Sequence, residues 1–143
     1  MLDRPKMIQQ LRLHEGERLK PYRCTAGKLT IGVGRNLEDR GITAEESAYL
    51  LNNDINREWK ALTTNLPWVT GLNDVRQRVL LDMSFNLGIA GLLKFKNTLA
   101  TIQRGDYSKA ADMMLDSLWA RQVKGRATRL SQMMRTGTDG PIG

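Results

Sequence analysis

Apolar residues recur at helical spacing along most of the chain, and the first such stretch covers residues 2–14. Ile8 and Leu11 fall on one face of this stretch, with charged and amide side chains opposite them, which predicts a short amphipathic helix. Gly16 lets the chain leave the helix. Glu15 is therefore expected at the helix end.

The pattern then changes to that of a β-structure. From Lys28 to Gly34 the residues roughly alternate and include β-branched side chains, which predicts a short strand. Gly32 and Gly34 weaken a strand, but they allow another backbone or a ligand to come close. We expect a small hairpin or a three-stranded sheet here.

A second helical pattern follows a predicted loop at residues 39–41. Thr43 and Glu46 have the spacing of a capping box, in which each side chain bonds to the other residue's backbone amide. Apolar residues then recur at helical spacing as far as Leu62, which predicts a helix of about twenty residues. The chain after Gly71 also has helical periodicity, including a short helix at residues 96–103.

The order helix, small sheet, long helix and helical bundle predicts an α+β fold. We expect one domain over residues 1–143, with a small N-terminal sheet lobe at about 15–42 and a linking helix at about 43–63. A helical lobe at about 65–143 is expected to include the N-terminal helix. Residues 139–141 are predicted to be a frayed tail.

Composition narrows the possible partners. The 143 residues carry a net charge of +7 and have a pI near 9.9, which suits nucleic acid, a membrane surface or a bacterial wall. A basic solvated surface explains the same charge. No helix-turn-helix or RNA-binding motif is present, which argues against nucleic acid.

Cysteine, histidine and apolar runs set further expectations. The single cysteine excludes an internal disulfide, and one histidine with one cysteine cannot supply an ordinary metal site. We therefore expect no metal and no cofactor. The first ten residues contain no apolar signal segment and no run is long enough to span a membrane, which predicts cytoplasmic synthesis without stable membrane insertion.

Three side chains capable of chemistry lie close together in the sequence. Eight residues separate Glu15 from Cys24, and five separate Cys24 from Thr30. A carboxyl group, a thiol and a hydroxyl on one turn-rich segment can converge on one bond of a ligand. Each also has an ordinary interpretation: a solvated helix-end glutamate, a buried structural thiol and a β-branched strand residue.

The motif around these residues resembles that of the tailed-phage lysozyme (endolysin) family, the muramidases of glycoside hydrolase family 24. Its first part is Glu15-Gly16, Leu19, Tyr22, Cys24-Thr25, Gly27 and the run from Thr30 to Gly34. The resemblance continues in Asp74-Val75-Arg76, Phe85-Asn86-Leu87-Gly88, Trp119, Gly125-Arg126-Ala127, Arg129 and Arg135-Thr136-Gly137. It spans nearly the whole chain, with the elements in the same order.

The resemblance implies a two-lobed lysozyme-like fold and roles for particular residues. Glu15 would be the catalytic acid, Cys24 would take the second catalytic position and Thr30 the third. Arg126 would also be the partner of Glu15. The residues expected to contact the sugars are Asn36, Phe85, Asn86, Thr98 and Arg126.

The family usually has aspartate at the second catalytic position, and Cys24 departs from this. Three roles stay open for Cys24: positioning or activating water, acting as a nucleophile, or filling space. A second departure is Arg35, where a familiar relative carries histidine. The loss of the second carboxylate also leaves open a lytic transglycosylase, or a wall-binding protein without catalysis.

The resemblance also implies a biological setting. The expected partner is bacterial peptidoglycan, whose β-1,4 bonds between N-acetylmuramic acid and N-acetylglucosamine would be hydrolysed to lyse the host. The protein is expected to be a monomer. It would reach the periplasmic peptidoglycan from the host cytoplasm after a holin-type lesion of the membrane.

Overall fold

The computed structural model describes residues 1–140, and the chain divides into two compact units, Met1–Leu51 and Asn52–Gly143. The described residues form eight α-helices and three strands, with a 3-10 helix at Pro67–Gly71. In chain order these are α1 (Arg4–Glu15), β1 (Arg18–Arg23), β2 (Leu29–Gly32), β3 (Arg35–Asn36), α2 (Leu37–Arg40), α3 (Ala44–Asn65), α4 (Asp74–Leu93), α5 (Lys96–Gln103), α6 (Tyr107–Leu115), α7 (Leu118–Val123) and α8 (Gly125–Thr136). The predicted α+β fold class is confirmed.

Helix α1 has well-defined ends in the sequence. The Asp3 side chain caps it by accepting a hydrogen bond from the Lys6 amide at 3.1 Å, which satisfies one of the free amides of the first turn. Gly16 ends the helix at φ +74°, and its amide donates to the Arg12 carbonyl. Glu15 is the last helical residue, as predicted.

The sheet is antiparallel and has the order β1-β2-β3. Thr30 of the central strand pairs with Tyr22 on one side and with Asn36 on the other. The ladder between β1 and β2 is irregular between Arg18 and Tyr22. Pro21 lies in this irregular stretch, the kind of place in a sheet where proline is tolerated.

The loop predicted at residues 39–41 is wrong for its first two residues, because they belong to α2. The Asn36 side chain caps this helix by accepting from the Asp39 amide at 3.0 Å. Glu38 and Asp39 in the first turn suit the positive end of the helix dipole. Gly41 ends the helix at φ +62°.

The capping box predicted before α3 is present. The Thr43 amide donates to the Glu46 carboxylate at 2.8 Å, and the Glu46 amide donates to the Thr43 hydroxyl at 3.1 Å. The boundary between the two units falls inside α3. The predicted lobe boundaries stay predictions, and α1 belongs to the first compact unit rather than to the unit that holds α4 to α8.

The second unit has an apolar core built from six helices and the 3-10 helix. Trp119 lies edge-on to Phe95 with 6.2 Å between ring centroids. Gly88 interrupts α4 with φ +73° and ψ +160°, so the helix is kinked at this residue. The core residues include Leu62, Val69, Val79, Leu80, Met83, Leu92, Ile102, Met114, Trp119, Leu130 and Met134.

The predicted frayed tail is wrong for Asp139. Its carboxylate pairs with the Arg78 guanidinium at 2.9 Å. The Gly137 carbonyl also accepts a hydrogen bond from the Asn73 side chain at 2.9 Å. The remainder of that prediction includes Pro141, which lies outside the described residues.

Candidate functional site

Glu15 lies against the turn between β2 and β3. A Cβ atom placed on Gly34 would be 3.2 Å from Glu15 Oε2 and 3.4 Å from its Cδ. The carboxyl group therefore occupies the space beside the glycine backbone. Glu15 is carried by the end of α1, and its carboxyl group lies next to the β2–β3 turn.

Cys24 and Thr30 meet at one backbone carbonyl. The Lys28 carbonyl accepts from the Cys24 amide at 3.0 Å and from the Thr30 hydroxyl at 2.8 Å. The tight turn that returns the chain is closed by the Gly27 amide, which donates to the Cys24 carbonyl at 2.8 Å. Thr30 is 3% exposed, so its hydroxyl is held in one place.

The surroundings of Cys24 favour its thiolate. The backbone amide of Lys28, followed by that of Ala26, lowers the pKa of the Cys24 thiol. Donors that face a sulfur atom stabilise its charged form, which is the nucleophilic and basic form. Cys24 is also partly exposed, so water can reach it.

Arg35 stabilises the turn beside Glu15 through two hydrogen bonds. Its Nη1 donates to the Glu46 carboxylate at 2.8 Å and to the Gly41 carbonyl at 3.2 Å. These bonds lower the pKa of Glu46 to about 2, with the Arg35 hydrogen bond as the largest cause and the Thr43 amide next. The two side chains tie β3 to the start of α3.

Asn36 was predicted to contact sugar, and its side chain also has a structural task. Its amide group donates to the Asp39 carboxylate at 2.9 Å while its oxygen caps α2. Asn36, Gly34 and Arg35 line a cavity of about 1050 Å³ that extends to Tyr49 on α3. The Asn36 amide group that would face a ligand in that cavity is therefore already hydrogen-bonded to Asp39.

Four predicted sugar contacts lie in the second unit. Asn86 Oδ1 accepts from the buried Trp119 Nε1 at 2.8 Å, and Phe85 is 39% exposed. Thr98 is buried near the start of α5 and lines a cavity of about 300 Å³. Arg126 lines another cavity of about 740 Å³.

Arg126 has a partner that sequence reasoning missed. Its Nε donates to the Asp82 carboxylate at 2.8 Å, and its Nη2 donates to the Asp82 carbonyl at 3.2 Å. The expected partnership between Arg126 and Glu15 stays a prediction. Asp82 lies 44 positions before Arg126, so only tertiary structure could reveal this pair.

The three candidate catalytic side chains all belong to the first unit, and the roles assigned to them stay predictions. The sequence did not predict that Glu15 lies beside Gly34, although the many glycines in residues 27–34 were a signal of a close approach. It also did not predict that the Lys28 carbonyl accepts hydrogen bonds from both Cys24 and Thr30. Over residues 1–140, no three His, Cys, Asp or Glu side chains are grouped as a metal site would require. In the same part of the chain, none of the helices has the length and hydropathy needed to span a membrane.

The chain matches one protein family and several known proteins. The family described as Phage lysozyme matches residues 12–135. The chain is 32% identical to the pre-baseplate central spike protein Gp5 of Enterobacteria phage T4, over 92% of this chain but only 28% of that protein. It is 28% identical to probable T4-type lysozyme 1 of Dictyostelium discoideum, over 90% of this chain and 92% of that protein.

A third relative has a similar length. The endolysin of Salmonella phage P22 is 32% identical over 125 aligned residues, which cover 82% of each protein. This identity and the family match over residues 12–135 agree with the motifs in the sequence. The chain belongs to the phage lysozyme family.

Proposed function

We propose that this protein is a muramidase that hydrolyses the β-1,4 bonds between N-acetylmuramic acid and N-acetylglucosamine in bacterial peptidoglycan. The observation that carries the proposal is the Glu15 carboxyl group at the end of α1, beside the Gly34 backbone and on the same compact unit as Cys24 and Thr30, which bond to one carbonyl. Family membership and the endolysin relatives support a lysozyme role. The net charge of +7 suits an acidic wall.

Glu15 is the general acid of the proposed reaction. Its carboxyl proton passes to the glycosidic oxygen as the bond to the anomeric carbon breaks, and positive charge develops on the sugar ring. The role needs a carboxyl group held within hydrogen-bond reach of that oxygen. The Glu15 side chain lies at the helix end and beside the Gly34 backbone.

Cys24 and Thr30 act on the water that completes the reaction. A thiolate at Cys24 accepts a proton from water while the water oxygen bonds to the anomeric carbon. The lowered pKa of Cys24 supports this role because it increases the thiolate fraction at neutral pH. Thr30 holds the water through a lone pair of its hydroxyl, whose proton is given to the Lys28 carbonyl.

Each unit has side chains that are proposed to contact sugar. Arg126 and the amide nitrogen of Asn86 supply donors for sugar and peptide-stem oxygens, and Phe85 supplies an exposed ring. Asn36 and Thr98 are the other proposed contacts. In this proposal the protein is a monomer that lyses the host after a holin-type membrane lesion gives it access to the wall.

Glu15→Gln tests the role of the acid. We expect this variant to fold but not to clear chloroform-treated Gram-negative cells, because the amide cannot supply a proton. Glu17→Gln is the matched control, since Glu17 is an exposed carboxylate whose nearest cation is Arg12 at 3.7 Å. Clearing by Glu15→Gln at the parent rate would rule out the assignment, and sedimentation with walls by an inactive parent would indicate a binding protein instead.

A substitution series at Cys24 tests the role of the thiol. Cys24→Asp is expected to keep activity, and Cys24→Ala is expected to lose roughly 10²–10⁴-fold, the usual contribution of a general base. Serine should fall between them, because it forms hydrogen bonds but is not a base at neutral pH. An alanine variant as active as the parent would remove Cys24 from the site.

A mechanism in which Cys24 attacks the sugar makes two predictions that can be measured. If the thiolate attacked the sugar directly, mass spectrometry would detect a sugar–sulfur adduct and the product would retain the anomeric configuration. We expect no sugar–sulfur adduct in the parent protein, even under conditions that slow the hydrolysis of a covalent intermediate. Detection of the adduct would replace the water mechanism.

A lytic transglycosylase is the second candidate, because the family's second carboxylate is missing at position 24. Such an enzyme uses an oxygen of the sugar itself in place of water and leaves an anhydro end. Product masses separate the two reactions, since hydrolysis adds one water for each bond cleaved. Anhydro ends in most products would favour this candidate over the muramidase.

A further inference from the structure

Two glycines of the β2–β3 segment have the same backbone requirement but different surroundings. Gly32 has φ +69° and Gly34 has φ +74°, a region that residues with a Cβ atom rarely adopt. A Cβ on Gly32 would meet no atom within 4 Å, whereas a Cβ on Gly34 would meet the Glu15 carboxyl group at 3.2 Å. Backbone conformation explains both glycines, but only Gly34 also leaves room for a neighbouring side chain.

We propose that Gly34 is a positioning residue whose missing side chain sets the place of the Glu15 carboxyl group. The proposal rests on the proposed function, in which Glu15 is the proton donor. A methyl group at position 34 would lie 3.2 Å from Oε2, 3.4 Å from Cδ and 3.6 Å from Cγ of Glu15. Because all three atoms lie on one side chain, the carboxyl group as a whole must shift by a few tenths of an ångström.

The turn itself cannot easily move away from Glu15. Arg35 follows Gly34 directly, and its guanidinium is held by Glu46 at 2.8 Å and by the Gly41 carbonyl at 3.2 Å. The backbone of Arg35 is also paired with Ile31 in the β2–β3 ladder. The displacement caused by a methyl group at position 34 therefore falls on the Glu15 side chain.

A small displacement matters because proton transfer depends on geometry. Misplacing a reacting group by about 1 Å can lower a rate by about 10²-fold. The shift expected here is only a few tenths of an ångström, so we expect a smaller loss, about 4–10-fold in kcat for Gly34→Ala. KM should change by less than about threefold, because the substituted atom faces the acid and substrate affinity comes from other residues.

Kinetics of Gly34→Ala and Gly32→Ala on soluble peptidoglycan fragments test the proposal. Both variants place alanine at a similar positive φ, and only Gly34→Ala crowds Glu15. We expect the kcat of Gly32→Ala to stay within about threefold of the parent when corrected for the folded fraction. Equal losses of kcat in the two variants would overturn the proposal.

A stability cycle tests the contact without relying on activity. Gly34→Ala should lower Tm more in the parent than in a Glu15→Ala background, where the crowded carboxyl group is absent. Gly32→Ala should lower Tm equally in both backgrounds. If Gly34→Ala folds only in the Glu15→Ala background the contact is supported, and if it fails in both while Gly32→Ala folds the proposal is overturned.

The cycle also separates this proposal from the proposed function. An active Glu15→Gln variant would remove Glu15 from the chemistry, and the Tm cycle would still report whether Gly34 and Glu15 are in contact. An inactive Glu15→Gln together with a fully active Gly34→Ala would keep the acid and overturn the positioning role.

Discussion

Arg76 is expected to be the most important single polar side chain for the stability of the second unit. Its Nε donates to the Met134 carbonyl at 2.8 Å, and its Nη2 donates to the Arg135 carbonyl at 3.2 Å. The guanidinium also lies over the Tyr107 ring, with Cζ 3.6 Å from the centroid. Arg76 on α4 therefore satisfies carbonyls of the last turn of α8, which have no helical partner.

The size of the effect follows from these contacts. A hydrogen bond from a charged group contributes roughly 1.5–3 kcal/mol, and a partly exposed cation–π contact contributes about 0.5–1 kcal/mol. One half-buried guanidinium makes all three contacts, so their contributions do not simply add. We expect Arg76→Ala to lower the free energy of unfolding by about 2–4 kcal/mol.

Arg78→Ala is the matched control on the same helix. Arg78 has two carboxylate partners, Asp74 and Asp139, but its side chain is 45% exposed. Exposed ion pairs contribute little, so we expect this variant to lose less than about 1 kcal/mol. Arg76→Lys should fall between the two alanine variants, because an ammonium group cannot span both carbonyls and lie flat on the ring.

Urea unfolding followed by circular dichroism measures all three variants. The midpoint should fall while the dependence of the free energy on urea concentration stays constant, since the surface exposed on unfolding is unchanged. An Arg76→Ala variant that loses no more than Arg78→Ala would refute the assignment of Arg76 to the end of α8. A lysine variant as stable as the parent would show that charge alone is needed.

Three further predictions follow from other contacts. The pKa of Glu46 is lowered to about 2 in the folded protein, below the unfolded value of about 4.3. The stabilisation that Glu46 provides is therefore present above about pH 4.3 and is lost as pH falls toward 2. Arg35→Gln should raise the Glu46 pKa in an NMR titration, and an unchanged pKa would contradict the pairing. Asn86→Leu should destabilise the protein by about 1–3 kcal/mol because it leaves the buried Trp119 indole without its acceptor, and thermal unfolding with no change in Tm would contradict this. Thr30→Ser should keep more activity than Thr30→Val in a cell-clearing assay, since only serine can still donate to the backbone carbonyl, and equal rates would argue against a role for the hydroxyl.

Local signals in the sequence predicted most of the helices. The capping box of Thr43 and Glu46, the glycine after Glu15 and the 96–103 periodicity each depend on residues within a few positions of one another. The same kind of signal was present at Asn36, where a capping asparagine precedes two acidic residues. That helix was missed because four residues are too few to show an apolar period.

Contacts between distant residues could not be predicted in this way. Asp139 is held by Arg78, 61 positions earlier, although its neighbours have the composition of a loose tail. Arg126 and Asp82 likewise pair across 44 positions. Charge and composition allow many such pairs, and only packing selects one of them.

In the candidate site, too, the sequence predicted features that depend on nearby residues and missed those that depend on the folded backbone. The spacing of Glu15, Cys24 and Thr30 marks a segment where chemistry can occur, because the three residues lie within sixteen positions. The sequence does not show that Gly34 leaves space for a carboxyl group or that the Lys28 carbonyl joins a cysteine to a threonine. Those features depend on the path of the backbone through two turns.

The proton of the Thr30 hydroxyl gives a reason to prefer water activation for Cys24. A hydroxyl has one proton, and at 2.8 Å the Lys28 carbonyl is its acceptor. Thr30 can then only accept a hydrogen bond from water, and that water has a second proton to give to the Cys24 thiolate. If Thr30 instead gave its proton to the thiolate, it would lose the carbonyl bond and make the sulfur a weaker base. The arrangement that keeps the Lys28 bond therefore orients water toward the sulfur, which is the arrangement that the proposed hydrolysis requires.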